Sequence, residues 1–196
     1  SVIVATASVT VGTLSNPQFS DDNGGRQVAG RLALRPAAGL VVGGSAARGA
    51  FVSRTAVRAA RPDARGDDFM QTAWGGDVEY SRGYYLLRFE TVVSHWRLPA
   101  LAQKELALSA VATSVEGRYK IRPGLYAAAR IDHLGFSDVG ATTLQSWDAP
   151  LSRWEVGGGY SLQRNLLLKL AYQHNSRNGG RVRDLDLGDI QVVFWF

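Results

Sequence analysis

The sequence has no cysteine, which excludes a disulfide framework and a thiolate metal site. Lysine is nearly missing too. Only Lys104, Lys120 and Lys169 accompany the arginines among the 22 basic residues. The basic residues are spread along the whole chain. A net charge of +5 distributed in that way lacks the clustered footprint of a nucleic-acid-binding protein. No run approaches the roughly 18–20 unbroken apolar residues of a membrane helix. Helical spans are excluded on that ground, but membrane strands are not, because their apolar residues fall only at alternate positions. Phosphate-binding glycine loops, zinc spacings and a Ser-His-Asp set are absent as sequence motifs. The chain opens on Ser1 without a Met or a signal peptide, so a mature form or a part of a longer chain is expected.

What is present is a period of two. In the last segment Ile190, Val192, Phe194 and Phe196 share one face, and Asp189, Gln191, Val193 and Trp195 share the other. Leu166, Leu168, Leu170 and Tyr172 alternate with Leu167, Lys169, Ala171 and Gln173. Tyr85, Leu87, Phe89 and Val93 stand against Arg88 and Glu90. Breaking the chain at its turn signals gives ten strands, at about 2–14, 26–36, 40–53, 69–82, 84–97, 106–121, 125–137, 150–162, 166–176 and 184–196. Each reaches the roughly 9–11 residues of a tilted membrane strand. The 196 residues are expected to form a single domain over 1–196.

The connections alternate as well. "PAAG" (36–39), "SRG" (81–83), "RPG" (122–124) and "QRN" (163–165) are tight, while 15–25, 54–68, 97–105, 138–149 and 177–183 are longer and polar. Short turns at one end and long loops at the other are the layout of an outer-membrane barrel. Aromatics fall into two levels: Tyr80, Tyr85, Tyr119, Tyr160, Phe194 and Phe196 toward the short-turn rim, and Trp74, Phe136, Trp154 and Tyr172 toward the loop rim. The predicted fold is an all-β, antiparallel, up-and-down transmembrane barrel of about ten strands.

If Phe196 faces lipid, the opposite parity faces a lumen. The predicted lining is Arg31, Arg35, Asp77, Glu79, Arg88, Glu90, Glu116, Arg118, Lys120, Arg130, Asp132, Arg153, Glu155 and Lys169, eight basic and six acidic residues. Asp77 and Glu79 are placed to meet Arg88 across one turn, and Glu116 and Arg118 to meet Arg130 and Asp132 across another. A charged pore wall with a slight anion preference is one reading of this set. A salt-bridged plug in a narrow barrel is the other. Arg54, Arg58, Arg61 and Arg65 sit in the long 54–68 connection, which reads either as a site attracting anionic solutes or lipopolysaccharide phosphates or as a solvated loop balanced by Asp63, Asp67 and Asp68.

The terminal residues Ile190, Val192, Phe194 and Phe196 resemble the closing signature of bacterial outer-membrane proteins. The resemblance implies that the barrel-insertion machinery reads them. "RWEVGGGYSLQRNLLLKLAYQHNSRNGG" with its closing strand resembles the C-terminal part of phosphate-selective-type (O/P) porins. "GTLSNPQFSDDNGGRQVAGRLALRP" and "GLVVGGSAARGAF" resemble their mid-barrel hairpins. Those porins have about sixteen strands and about twice this length, so the chain is expected to be a complete small barrel or the C-terminal part of a larger porin. "HNSRNGGR" resembles outer-membrane phospholipases in its His174, one residue, Ser176 spacing, but lacks a counterpart for the orienting Asn. Omptin-type proteases need an Asp pair and an Asp–His pair. Asp132 and His133 are adjacent and point to opposite faces, Asp21 and Asp22 share that defect, and His95 stands alone.

The expected function is therefore passive diffusion of small polar or anionic solutes through a charged lumen, with no catalytic residue, no metal and no cofactor. A structural or adhesive barrel with a blocked lumen and a lipid-acting hydrolase are the alternatives. The expected location is the bacterial outer membrane. The expected partners are the lipid bilayer and lipopolysaccharide, the insertion machinery and the solutes, with no nucleic acid and with a homo-oligomer left open.

Overall fold

The computed structural model describes residues 2–11, 24–60, 63, 68–98, 106–139, 145–177, 179 and 184–195. Ten long strands dominate it: β1 (Val2–Val11), β2 (Arg26–Ala37), β3 (Leu40–Ala50), β4 (Met70–Arg82), β5 (Tyr85–Leu98), β6 (Leu106–Arg122), β7 (Leu125–Phe136), β10 (Leu151–Gln163), β11 (Leu166–Arg177) and β12 (Asp184–Phe194). They form one antiparallel sheet in chain order, each strand pairing with its sequence neighbours, with β1 and β12 at its two edges. This up-and-down order needs only hairpins, and sequence supplies them as two-residue turns at 38–39, 83–84, 123–124 and 164–165.

The short-turn end is tied together laterally. Gly39 takes φ 77° and Gly124 takes φ 81°, left-handed values that a side chain would oppose. Their carbonyls accept hydrogen bonds from the next hairpin: Ser81 N–H to Gly39 O at 2.7 Å, and Ser161 N–H to Gly124 O at 2.8 Å. The Lys120 N–H donates to Tyr84 O in the same manner at 2.8 Å.

The ten predicted strands match the ten long strands in order, with ends moved by up to three residues. The loops differ more. The 54–68 connection contains helix α1 (Arg54–Ala60), with Ser53 accepting the Ala56 N–H at 3.2 Å as its N-cap. Val52, Val57 and Phe69 pack together there, with Phe51 against them, into a small core. Arg54 and Arg58 are exposed on this helix, so the connection is solvated but not irregular throughout. Its apolar residues are too widely spaced in sequence to reveal that contact. Arg61, Arg65 and Asp67 lie outside the described residues. The 138–149 connection holds a second small device, the hairpin β8 (Asp138–Val139) with β9 (Gln145–Ser146).

The sheet itself has almost no core. Among the described residues no large side chain is fully buried, and many of the large apolar residues on the strands are exposed, Leu86 and Leu108 being exceptions. Ile131 is 64% exposed and Ile190 73%. Directly paired residues share a face in an antiparallel ladder. The pairs Phe89–Val115, Val115–Ile131 and Ile131–Trp154 therefore run as one apolar row across four strands. Such a surface is stable only against an apolar medium.

A charge in the middle of that row is expected to be costly. Val115→Arg should destabilise the chain refolded in lipid vesicles by about 2–4 kcal/mol, read from denaturant titration. Ala112→Arg, on the opposite face of the same strand, should change the midpoint little.

Candidate functional site

The register settles the faces. Asp77 pairs with Gly43 and with Glu90, Glu90 with Ser114, Ser114 with Asp132, and Asp132 with Arg153. A second row runs through Glu79, Arg88, Glu116, Arg130 and Glu155. A third joins Lys120, Tyr126, Gly159 and Lys169. Arg31 and Arg35 share parity with Ala33, the partner of Gly43, and Arg118 lies one step from Lys120 on the same face. All fourteen charged residues named from the sequence thus lie on one face of the sheet. Ile190, Val192 and Phe194 lie on the other, and Phe196 is outside the described residues.

The charges on this polar face are largely paired, though not always as expected. Arg31 reaches two strands over to Asp77, with Nη1 on Oδ1 and Nη2 donating to Oδ2 at 2.7 Å. The strand between them presents Gly43, and a Cβ there would stand 2.5 Å from the guanidinium and 2.6 Å from the carboxylate. The missing side chain is what lets the pair lie flat. Asp77 was expected to meet Arg88, but Arg88 is held by Glu79 at 2.8 Å, with Glu116 at 3.7 Å. Asp132 accepts from Arg130 Nε at 2.8 Å along its own strand and from Arg153 Nε at 2.7 Å across the sheet. Arg118 meets neither Arg130 nor Asp132 as an ion-pair partner; its guanidinium lies 5.5 Å from the Tyr126 ring centre. Tyr126 in turn lies over Gly159, where a Cβ would come 2.5 Å from the ring.

Open hollows lie among these charges. One of about 370 Å³ is bounded by Glu90, Ser114, Arg130, Asp132 and Arg153. A smaller one of about 190 Å³ sits over Ala128, Gly157 and Ala171, between Glu155 and Lys169. Small residues in the floor make room that paired side chains leave open.

The apolar face carries its polar groups at the loop end. Trp74, Trp154 and Tyr172 are there, and Tyr80, Tyr85, Tyr119 and Tyr160 mark the short-turn end of the same face. Phe136 is the exception: it pairs with Ala110 and has the parity of the polar face, so it does not belong to the aromatic belt. The chain's histidines are all on the apolar face and all bonded across a strand. His95 Nδ1 is 2.7 Å from Ser109 Oγ, and His133 Nδ1 is 3.0 Å from Ser152 Oγ. His95 thus has a hydroxyl partner but, among the described residues, no carboxylate partner. His174 Nδ1 meets Asp186 Oδ1 at 2.7 Å, and the Tyr172 hydroxyl donates to the same oxygen at 2.7 Å. Asp186 thus holds both the His174 ring and the Tyr172 hydroxyl, a contact that no sequence motif marks. Counting register outward from the "QRN" turn brings Asp186 opposite His174, which is the signal that could have found it. Ser176 shares their face, but no hydrogen bond joins it to His174 among the described residues.

No protein-family model and no curated protein sequence matches the chain. Solved structures do. Outer-membrane OmpT of Vibrio cholerae matches with TM-score 0.65 at 13% identity, over 89% of this chain and 58% of that one. CdiB from Acinetobacter baumannii matches with TM-score 0.59 at 10% identity, over 97% and 40% of the two chains. The siderophore receptor PirA from Acinetobacter baumannii matches with TM-score 0.55 at 10% identity, over 87% and 31%. This chain thus spans 58% or less of each of these three. At such identities the likeness is one of fold: an antiparallel outer-membrane β-barrel wall. That fold and the apolar face place the chain in the bacterial outer membrane, with lipid against its wall.

Gly43→Ala should open the Arg31–Asp77 pair and lower stability by on the order of 1 kcal/mol, read as a denaturant midpoint. Gly44→Ala, whose Cβ would find its nearest neighbour at 3.9 Å, should be neutral or slightly stabilising.

Proposed function

We propose that the polar face is the wall of a water-filled channel through which small polar or anionic solutes diffuse passively, with no catalytic residue. The observation that supports this is the flatness of the charged face. The Arg31–Asp77 pair lies along the sheet over Gly43, and open hollows remain on this face, one of them over Ala128, Gly157 and Ala171. A salt-bridged plug needs long side chains standing across the lumen, and small floor residues work against it.

The anion preference follows from which charges are left over. Arg31, Asp77, Arg88, Glu79, Glu116, Arg130, Asp132 and Arg153 neutralise one another locally. Of the fourteen, Arg35, Arg118, Lys120, Lys169, Glu90 and Glu155 have no salt bridge among the described residues. That remainder is four basic and two acidic residues, so the residual field favours anions.

The refolded chain in planar bilayers is expected to give discrete conductance steps with anion-selective reversal potentials in a salt gradient. Lys120→Glu with Lys169→Glu should move the reversal potential to the cation side. Absence of steps would sink the channel and favour the blocked barrel.

A second reading has one observation in its favour, the Asp186–His174 bond. It holds a base on the lipid-facing side beside Ser176, as a lipid-acting hydrolase requires. The expected result under the channel reading is no release of fatty acid from phospholipid vesicles. Release abolished by Ser176→Ala would establish the hydrolase instead.

A further inference from the structure

The loop-end rim of the apolar face is not uniform. Over β2 to β5 it carries Arg26, Arg48, His95 and Arg97, all exposed. Val28 pairs with Arg48, Arg48 with Thr72, and Thr72 with His95, so these share the lipid-facing side. Arg26 lies two residues beyond Val28, and Arg97 two beyond His95, so both keep that side. Each is within three residues of its strand's loop end. Over β12 the same rim is acidic, with Asp184 and Asp186. Among the described residues none of the three arginines has a salt bridge, in contrast to the paired arginines of the polar face.

Arginine facing lipid is costly at the membrane centre and tolerated only at headgroup level. Its position there sets it beside lipid phosphates. The three arginines and His95 form two pairs. Arg26 and Arg48 are diagonal neighbours, roughly 7–8 Å apart. His95 and Arg97 are alternate residues of one strand, roughly 7 Å apart. The two pairs are separated by two strand spacings from Arg48 to His95, roughly 9.5 Å. One phosphate cannot engage both pairs in full; two phosphates on one headgroup can. His95 Nδ1 is occupied by Ser109, so Nε2 is the ring atom left for a ligand. Val28, level with Arg48, and Trp74, one step further toward the membrane, are exposed at 56% and 57% and present an apolar surface for acyl chains.

We propose that this patch is a binding site for a multiply phosphorylated glycolipid of the outer leaflet. Arg26 and Arg48 take one phosphate, Arg97 and His95 the other, and the wall around Val28 and Trp74 takes the acyl chains. Charge complementarity and depth carry the assignment. It rests on the membrane-wall reading but not on the channel, because none of these residues is on the polar face.

The test uses the full chain refolded in neutral detergent, titrated with purified bisphosphorylated lipid A and read by the rise in thermal unfolding temperature. The double variant Arg48→Gln, Arg97→Gln should bind at least about tenfold more weakly. Arg82→Gln, on the same face at the short-turn rim, should bind as the parent does. Monophosphorylated lipid A should bind less tightly than the bisphosphorylated form, and inorganic phosphate at matched concentration should not compete. Single-channel conductance of the double variant should equal that of the parent, which separates this site from the channel. Circular dichroism confirming the β signature of the double variant guards against loss of fold. Unchanged lipid A binding by a folded double variant overturns the proposal. So does equal competition by inorganic phosphate, which would make the patch a general anion site.

Discussion

The inter-strand hydrogen-bond ladder is the constraint on which everything else in this chain depends. In hydrocarbon an unpaired backbone group is costly, so a spanning chain must pair its strands with one another. Once the strands pair, the pleat has a period of two, and a one-residue slip would exchange the faces of a whole strand. The ladder here runs through ten strands in chain order. It replaces the buried core of a water-soluble protein, because no large side chain among the described residues is fully buried. Stability in such a wall comes from the ladder and from the match between its apolar face and lipid.

With the register set, the polar face becomes a problem in electrostatics on a flat surface. Fourteen charged residues on one face would repel or float if left as found. They are instead arranged so that Asp132 answers two arginines and Arg88 answers two glutamates. Glycine takes part by being absent as a side chain. Gly43 leaves the path for Arg31 to reach Asp77, and Gly159 leaves the shelf on which Tyr126 lies. Pairs of this kind are partly exposed and contribute little to stability individually. Their consequence is in the field they leave: local neutrality around the acidic clusters and an uncompensated basic remainder near Lys120 and Lys169.

The strands were legible because alternation is a local property. Leu166 to Gln173 shows it within eight residues, and the four tight turns punctuate it. What was not legible was any contact depending on how far a side chain reaches. Arg31 and Asp77 are 46 residues apart and belong to strands that do not touch. The partner of Asp77 was therefore misassigned to its hairpin neighbour. The small core of Val52, Val57 and Phe69 is not legible in sequence because a helix of about two turns in a polar connection is too short to show a period. Phe136 went to the wrong belt because its level was read without its parity.

The sequence by itself determined the class of medium and the sorting of residues between two faces. Parity, turn length and the absence of an apolar run are written in neighbouring letters. The tertiary structure alone decided which charges cancel and which remain, that Asp186 stands against His174, and that Arg26, Arg48, His95 and Arg97 collect at one sector of the rim. The physical reason is that these facts depend on register between strands distant in the chain. Register is fixed by each strand pairing with its neighbours across the sheet, so no single segment contains it.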